Sequence, residues 1–338
     1  MRIERFDPAD TDAARACYDI YLAGTPADDP AGPPMSPRHF SGWLKLGWTE
    51  DPREHWLARD DAGAPCGWYV LSLPGRENLH LAEVSPAVSP SLRRTGLGAT
   101  LVRHAAARAD ELGRSALSGS AREGSPGAAF ARALGARRGL TDERRVLEVA
   151  TLTADRLTGL RRNAESVARA YTLLSWDGPV PAEHLAGVAA INTAVAADIP
   201  HSDGHEPQRW DPERVRQNDR REAAQGLRGH TVVARCAATG ELAGLTHLSI
   251  DPVNPAWGYQ DLTAVTGQHR GHRLGLLVKV GMLGLLAEHE PQLTRVITDN
   301  AEVNQHMIAI NAELGFSVLD RWASWEIAVQ RALAAGMA

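Results

Sequence analysis

The sequence predicts an α+β chain made of two copies of one domain. Three observations carry this: similar blocks recur at a near-constant spacing, short strand-like runs alternate with helical stretches, and each copy has a glycine-bearing junction between a strand and a helix. A length of 338 residues suits two domains of ordinary size.

Each copy opens on a strand-like start (1–6; 171–176), then an amphipathic helix (11–22; 182–197) and a polar, proline-bearing loop (23–38; 198–208). Apolar runs around a Gly-, Asp- or Thr-rich break follow, from His55 to Leu71 and from Thr231 to Leu248, and read as hairpins. Arg59 and Arg235 stand 176 residues apart, Gly67 and Gly244 177 apart. Next, an extended segment (79–88) leads through Arg93, Arg94, Gly96 and Gly98 into a helix over 97–112, which Gly113 closes. Its counterpart runs from 258–265 through Arg270, Gly271, His272, Arg273, Leu274 and Gly275 into a helix over 274–288, again 177 residues on. A strand (115–118; 294–298) and a helix ending at Gly135 or Gly315 complete the repeat, with a last strand over 145–150 in the first copy. The expected boundaries are a first domain over 1–152, a linker over 153–170 and a second domain over 171–338.

Composition removes several function classes. With 43% hydrophobic and 23% charged residues there is apolar material for two cores. A net charge of −5 offers no general field for a polyanion, so no nucleic-acid partner is expected. Three cysteines, Cys17, Cys66 and Cys236, form no zinc or disulfide spacing. The N-terminus lacks a secretory apolar core, and a cytoplasmic location is expected. The most apolar stretch, 274–287, is shorter than the roughly 20 residues that span a bilayer and carries Lys279, so it reads as a buried helix and no membrane partner is expected. Only Lys45 and Lys279 among 36 basic residues are lysine, a skew expected of a GC-rich bacterial genome.

A strand that runs into glycines and then a helix presents unpaired N–H groups at the positive end of the helix dipole, a cradle for a pyrophosphate. Glycine permits positive φ and close approach there, and flanking arginines add charge-assisted bonds. A dinucleotide site is disfavoured because Leu101 stands where the third glycine of GxGxxG belongs, and no GxxxxGK[ST] occurs.

The pattern Arg93, Gly96, Gly98 after an extended strand resembles the acetyl-CoA pyrophosphate loop of the GCN5-related N-acetyltransferases. The second copy adds Thr298, Asn300, Asn304, Met307, Asn311, Leu314, Gly315 and Phe316, whose spacing resembles that family's T-x-N-x-x-x-N-x-x-M-x-x-x-N-x-x-L-G-F ending. The duplicated layout is similar to tandem members such as mycothiol synthase. The resemblance implies two tandem domains, each with a mixed, splayed central sheet flanked by helices, and acetyl-CoA as co-substrate. It implies that pantetheine bonds the main chain near Thr263 to Val265, or near Val88 in the first copy. It also implies that Asn300 and Asn304 flank pantetheine and the thiol, and that the loops at Arg93, Arg94, Gly96 and Gly98 and from Arg270 to Gly275 hold phosphate.

Transfer to an amine needs a proton acceptor and a donor for the departing thiolate. The family's usual tyrosine is replaced by Asn311 in the second copy and Ala131 in the first. Asp261 is the expected base, Tyr259 the acid, with Asn304 and Asn311 polar groups beside the sulfur; Asn304 also reads as a helix cap. The first copy has Gly124 and Ala131 at the two asparagine positions, with Glu83 as its base candidate, so catalysis is expected in the second copy although Arg273 crowds its loop. The run His201, Asp203, His205, Glu206 reads as a solvated loop, with Asp203 and Glu206 placed to attract a cationic amine, as Asp28 and Asp29 are in the first copy. No metal site is expected, and Trp43, Trp48 and Trp56 read as core or interface. The expected activity is direct acetyl transfer from acetyl-CoA to a primary amine of a small molecule, by a monomer or homodimer. The alternatives are a decayed CoA-binding sensor and a protein-lysine acyltransferase.

Overall fold

A computed structural model describes residues 1–47, 50–198 and 204–334. In chain order the strands and helices are β1 (Arg2–Arg5), α1 (Thr11–Asp28), α2 (Pro37–Lys45), β2 (Arg53–Arg59), β3 (Pro65–Ser72), β4 (Leu81–Val88), α3 (Leu97–Glu111), β5 (Ala116–Arg122), α4 (Pro126–Ala133) and β6 (Arg137–Glu148). There follow α5 (Ala154–Val167), β7 (Tyr171–Asp177), α6 (Leu185–Asp198), α7 (Pro212–Gln225), β8 (Arg228–Cys236), β9 (Leu242–Ile250), β10 (Trp257–Val265), α8 (Leu274–His289), β11 (Arg295–Ala301), α9 (Gln305–Leu314), β12 (Ser317–Ala328) and α10 (Val329–Ala334). None of the described helices is long and apolar enough to cross a membrane. The three cysteines are free and buried.

Local signals place most helix ends. Asp10 caps α1 by accepting from the N–H groups of Asp12 and Ala13. Ser36, Ser125 and Asp211 cap α2, α4 and α7, each followed by proline at the first helical position, where a missing N–H costs nothing. The first helix runs six residues past the expected Leu22.

The chain forms two compact units, and neither is one contiguous stretch. The first joins residues 1–141 to 320–334 and 204–206; the second comprises 142–198 and 207–319. In the first, strands lie in the order β1-β2-β3-β4-β5-β12, with β12 antiparallel to β5 from Trp322–Arg122 to Ala328–Ala116. In the second the order is β6-β11-β10-β9-β8-β7, and β6 pairs β11 from Asp142–Ala301 to Glu148–Arg295. The two copies have therefore exchanged final strands. Burial explains why each strand stays: Ile327 joins the first unit's core with Leu101, Ala105 and Leu117, and Leu147 joins the second's with Leu248, Val278 and Leu314. The expected linker over 153–170 is mostly α5, capped by Thr153 and buried through Ala164 against the second unit's core.

Both sheets splay at the same point. The parallel ladder of β4 with β5 runs from Leu81–Ala116 to Glu83–Ser118 and stops, while β4 continues along β3 to Val88. In the second unit β10 with β11 runs from Trp257–Arg295 to Gln260–Thr298 and stops, while β10 bulges between Tyr259 and Leu262 and continues along β9. The strand edges past each stopping point face the opening of the V.

Candidate active site

The strand-to-helix loops lie at the open ends of these Vs. Each needs two left-handed residues, and each uses one glycine and one arginine: Arg94 (φ 67°) and Gly96 (φ 91°) in the first, Gly271 (φ 82°) and Arg273 (φ 55°) in the second. The crowding expected at Arg273 is not the cost of that residue. A Cβ built at Gly96, its counterpart, meets nothing within 4 Å. What Arg273 does carry is the left-handed backbone of a residue with a Cβ, about 1–2 kcal/mol.

Not every loop arginine is turned to a phosphate. The Arg93 guanidinium donates to both carboxylate oxygens of Asp28 at 3.2 and 2.7 Å, and Arg270 pairs with Asp198 at the end of α6. Arg273 pairs with Glu313 on α9. The His272 ring lies 5.5 Å from that of Tyr171. Gly98 and Gly275 serve packing, since a Cβ would meet Phe130 at 3.3 Å and Ile310 at 2.9 Å. In the second unit a cavity of about 240 Å³ opens at the loop, lined by Val265, Gly271, Arg273, Leu274, Gly275 and their neighbours on α9.

Deeper in the V lies a buried polar network. Lys279, 2% exposed on the inward face of α8, donates to the side-chain oxygens of Gln260 and of Asn311, the latter at 2.7 Å. Asn311 is 0% exposed and donates in turn to Asn300. The Gln260 amide reaches the Thr246 hydroxyl at 2.8 Å, and Thr246 meets the Thr263 hydroxyl at 2.8 Å. Burial pushes the Lys279 ammonium down to about 7. Opposing it are the two amide oxygens and the face of Phe316, 5.1 Å from Nζ. Asn311 and Asn300 thus belong to the network that fills the back of the V, and Asn311 is shut off from solvent.

A second polar group is built from β9, β10 and α7. His247 Nε2 lies 2.9 Å from Glu222 Oε1 and 4.0 Å from Asp261 Oδ2, while its Nδ1 meets the Thr231 hydroxyl at 2.9 Å. Burial works to lower the His247 imidazole, but the charge and hydrogen bond of Glu222, with Asp261 behind them, hold it up at about 9. Asp261 lies within the β10 bulge and accepts from Ser249 at 3.2 Å. Its side chain keeps 39% of its surface yet sits in a concavity, where lost solvation raises the carboxyl more than His247 and Arg221 lower it. A carboxylate with a raised pKa and an open face is a stronger proton acceptor than an ordinary aspartate.

The structure treats the remaining expectations unevenly. Asn304 is the N-cap of α9, accepting from Met307 N at 3.2 Å, so its side chain is committed to the helix end. Tyr259 is half-buried just before the bulge, paired with Ser249 and Ile297. The Thr263–Val265 main chain runs along β9 beyond the point where β11 leaves. In the first unit Val88 ends β4 beside Gly67, and Glu83 sits at the splay point with its carboxyl raised by desolvation. Of the loop 201–206, His201 and Asp203 lie outside the described residues, as does Trp48; Glu206 is tied to Asn78 through backbone and side chain. Trp43 packs with Phe40 and Trp68, and Trp56 stacks on Tyr69. Sequence reasoning missed Lys279, Gln260, His247 and Glu222. Only Lys279 left a signal, as a lone charge in an apolar helix.

Residues 14–135 match the model of the "Acetyltransferase (GNAT) family". A tandem GNAT protein from the clavulanic acid biosynthesis pathway superimposes with a TM-score of 0.82 at 29% identity, covering 97% of this chain and 98% of that one. A GCN5-related N-acetyltransferase from Sphaerobacter thermophilus gives a TM-score of 0.63 at 16% identity over 97% and 95% of the two chains. A glucosamine N-acetyltransferase region in a fungal multi-domain GH3 β-N-acetylglucosaminidase gives 0.66 at 14%, over 96% of this chain and 38% of that one. These last two likenesses concern the fold. No curated protein matches this chain at a significant level.

Proposed function

We propose that the chain is a tandem GNAT acetyltransferase that moves an acetyl group directly from acetyl-CoA to a primary amine of a small molecule, with the chemistry in the second unit. The observation that carries this reading is the asymmetry behind the two splayed sheets. Lys279, Asn300 and Asn311 stand in the second unit where the repeat places Val102, Ser120 and Ala131 in the first. Here the Arg270–Gly275 loop and the start of α8 hold the pyrophosphate, and the β10 edge at Thr263–Val265 hydrogen-bonds the pantetheine amides. Asp261 accepts the proton of the incoming ammonium, and the His247–Glu222 pair fixes the field around it. No cysteine lies within either loop, and Cys66, whose carbonyl accepts from Ser89 ahead of the first, is buried in the core, which favours direct transfer over a covalent carrier.

A specific observation favours a second reading, in which the first unit binds acetyl-CoA and does the work: the family model matches that copy, whose loop keeps Gly96 and Gly98. One experiment separates the readings. CoA release from acetyl-CoA is followed against a panel of small amines and lysine peptides, with Asp261→Asn and Glu83→Gln compared. Loss of about 10²–10⁴-fold in turnover for Asp261→Asn alone supports the second unit. The same loss for Glu83→Gln alone moves catalysis to the first. CoA binding without turnover on any amine makes the protein a sensor, and turnover confined to peptides makes it a protein acyltransferase.

A further inference from the structure

At the end of the second sheet remote from the glycine loop, β7, β8 and α8 bring three potential ligands together. His230 Nδ1 lies 2.7 Å from Asp177 Oδ1, and His289 Nδ1 lies 3.0 Å from Asp177 Oδ2. The three donor atoms all lie within 4.8 Å of one another, beside a cavity of about 800 Å³. His230 is 3% exposed, and its other nitrogen, Nε2, sits 3.1 Å from Glu290, which the Arg228 guanidinium holds through two bonds.

This arrangement has a chemical consequence. His230 lies between two carboxylates: if its Nε2 proton goes to Glu290, Nδ1 is left as an acceptor facing Asp177, whereas His289 meets the other Asp177 oxygen through Nδ1 alone. The His230 contact to Asp177 is satisfied by a second proton on that ring or by a metal ion among the three donor atoms. Two imidazoles and one carboxylate form a set suited to zinc or a similar first-row ion rather than to calcium or magnesium. The Glu290–His230 contact supplies the outer-shell carboxylate that orients a ligating histidine. Zinc with ligands at about 2.0–2.1 Å holds its donors roughly 3.4 Å apart, so the Asp177 contacts of 2.7 and 3.0 Å need to open by about 0.4–0.7 Å. His289, 40% exposed, is free to adjust. The first unit closes its equivalent corner differently, with Glu54 in the His230 position bonded by Arg108 at 2.8 Å, so the fold itself does not demand the histidine pair.

We propose that Asp177, His230 and His289 bind one divalent transition-metal ion, with zinc the best fit and a fourth coordination position open to the cavity. The ion would clip β7, β8 and the end of α8 together, on the face of β8 opposite Thr231, which bonds His247.

The test uses the full chain, stripped with a chelator and exchanged into metal-free buffer, then titrated with Zn²⁺ against a chromophoric competitor and with Co²⁺ for its visible absorption. One equivalent should bind, with Co²⁺ bands of tetrahedral intensity. His289→Ala and Asp177→Asn should each weaken binding by ~100-fold or more, and Glu290→Gln by ~10–100-fold. Circular dichroism establishes that each variant is folded. Absence of stoichiometric binding to the wild-type chain overturns the proposal. So does binding that survives His289→Ala, or binding that is lost in Glu222→Gln but kept in His289→Ala, which would place the metal at His247 instead.

Discussion

Replacing Lys279 by methionine should change how stability depends on pH. In the folded protein burial brings the ammonium from 10.5 down to about 7. The unfolded chain therefore holds more protons than the folded one between these values, and stability rises with pH across that window. The full span is worth ~5 kcal/mol and the part between about pH 7 and pH 9 is worth ~2–3 kcal/mol, at ~1.36 kcal/mol per pH unit. His247 acts with the opposite sign. Its folded value is raised from 6.5 to about 9, so its contribution is complete below 6.5 and fades as pH rises through 9, a loss of ~3 kcal/mol. The two nearly cancel, so the wild-type profile alone tells little. Lys279→Met leaves the Gln260 and Asn311 oxygens without their donor, at ~1–3 kcal/mol each, but that penalty does not titrate. Urea unfolding of both proteins at about pH 6 and about pH 9 isolates the lysine. The stability of the wild type minus that of the variant should grow by ~2–3 kcal/mol from the lower pH to the higher. A difference that stays constant to within about 0.5 kcal/mol would show that Lys279 keeps its ordinary ionisation and that the burial argument is wrong.

The same geometry makes further predictions. Asn304→Ala should cost ~1 kcal/mol of stability by uncapping α9, and Asn304→Ser should restore it, because only the cap acceptor is needed; chemical denaturation reads both. Gly271→Ala should cost ~1–2 kcal/mol from its φ of 82° and weaken CoA binding measured by calorimetry. His247→Gln should remove the stability loss expected between pH 6.5 and 9, so the variant's profile should rise with pH where the wild type is flat. A fragment ending at residue 136, before β6, should fail to fold cooperatively, because β5 is left without a closing strand; adding a peptide of residues 317–334 should restore a thermal transition.

Much of the fold was legible in the chain. Hydrophobic periodicity, proline at first helical positions and glycine at the strand-to-helix turns are local properties, and a repeat near 177 residues multiplies each of them by two. The loops could be read because their backbone demands specific residues, although the demand for a second left-handed position, met by Arg94 in one copy and Arg273 in the other, could not. The functional side chains were less legible. Asp261 was visible as a carboxylate near the loop, but its partners His247 and Glu222 come from β9 and α7, and Lys279 gains its character only because Gln260, Asn311 and Phe316 surround it.

The sequence by itself determined that there are two copies of one α+β unit, because strand and helix periods and turn residues act over a few residues and are written twice. Only the tertiary structure decided which strand closes which sheet. β6 and β12 descend from the same position of the repeat and present equivalent alternating faces, so exchange leaves the number and polarity of strands in each sheet unchanged. No local pattern distinguishes the two pairings. The choice rests on which core receives Leu147 and which receives Ile327, and that is settled by packing between residues more than two hundred positions apart in the case of Ile327 with Leu101 and Leu117.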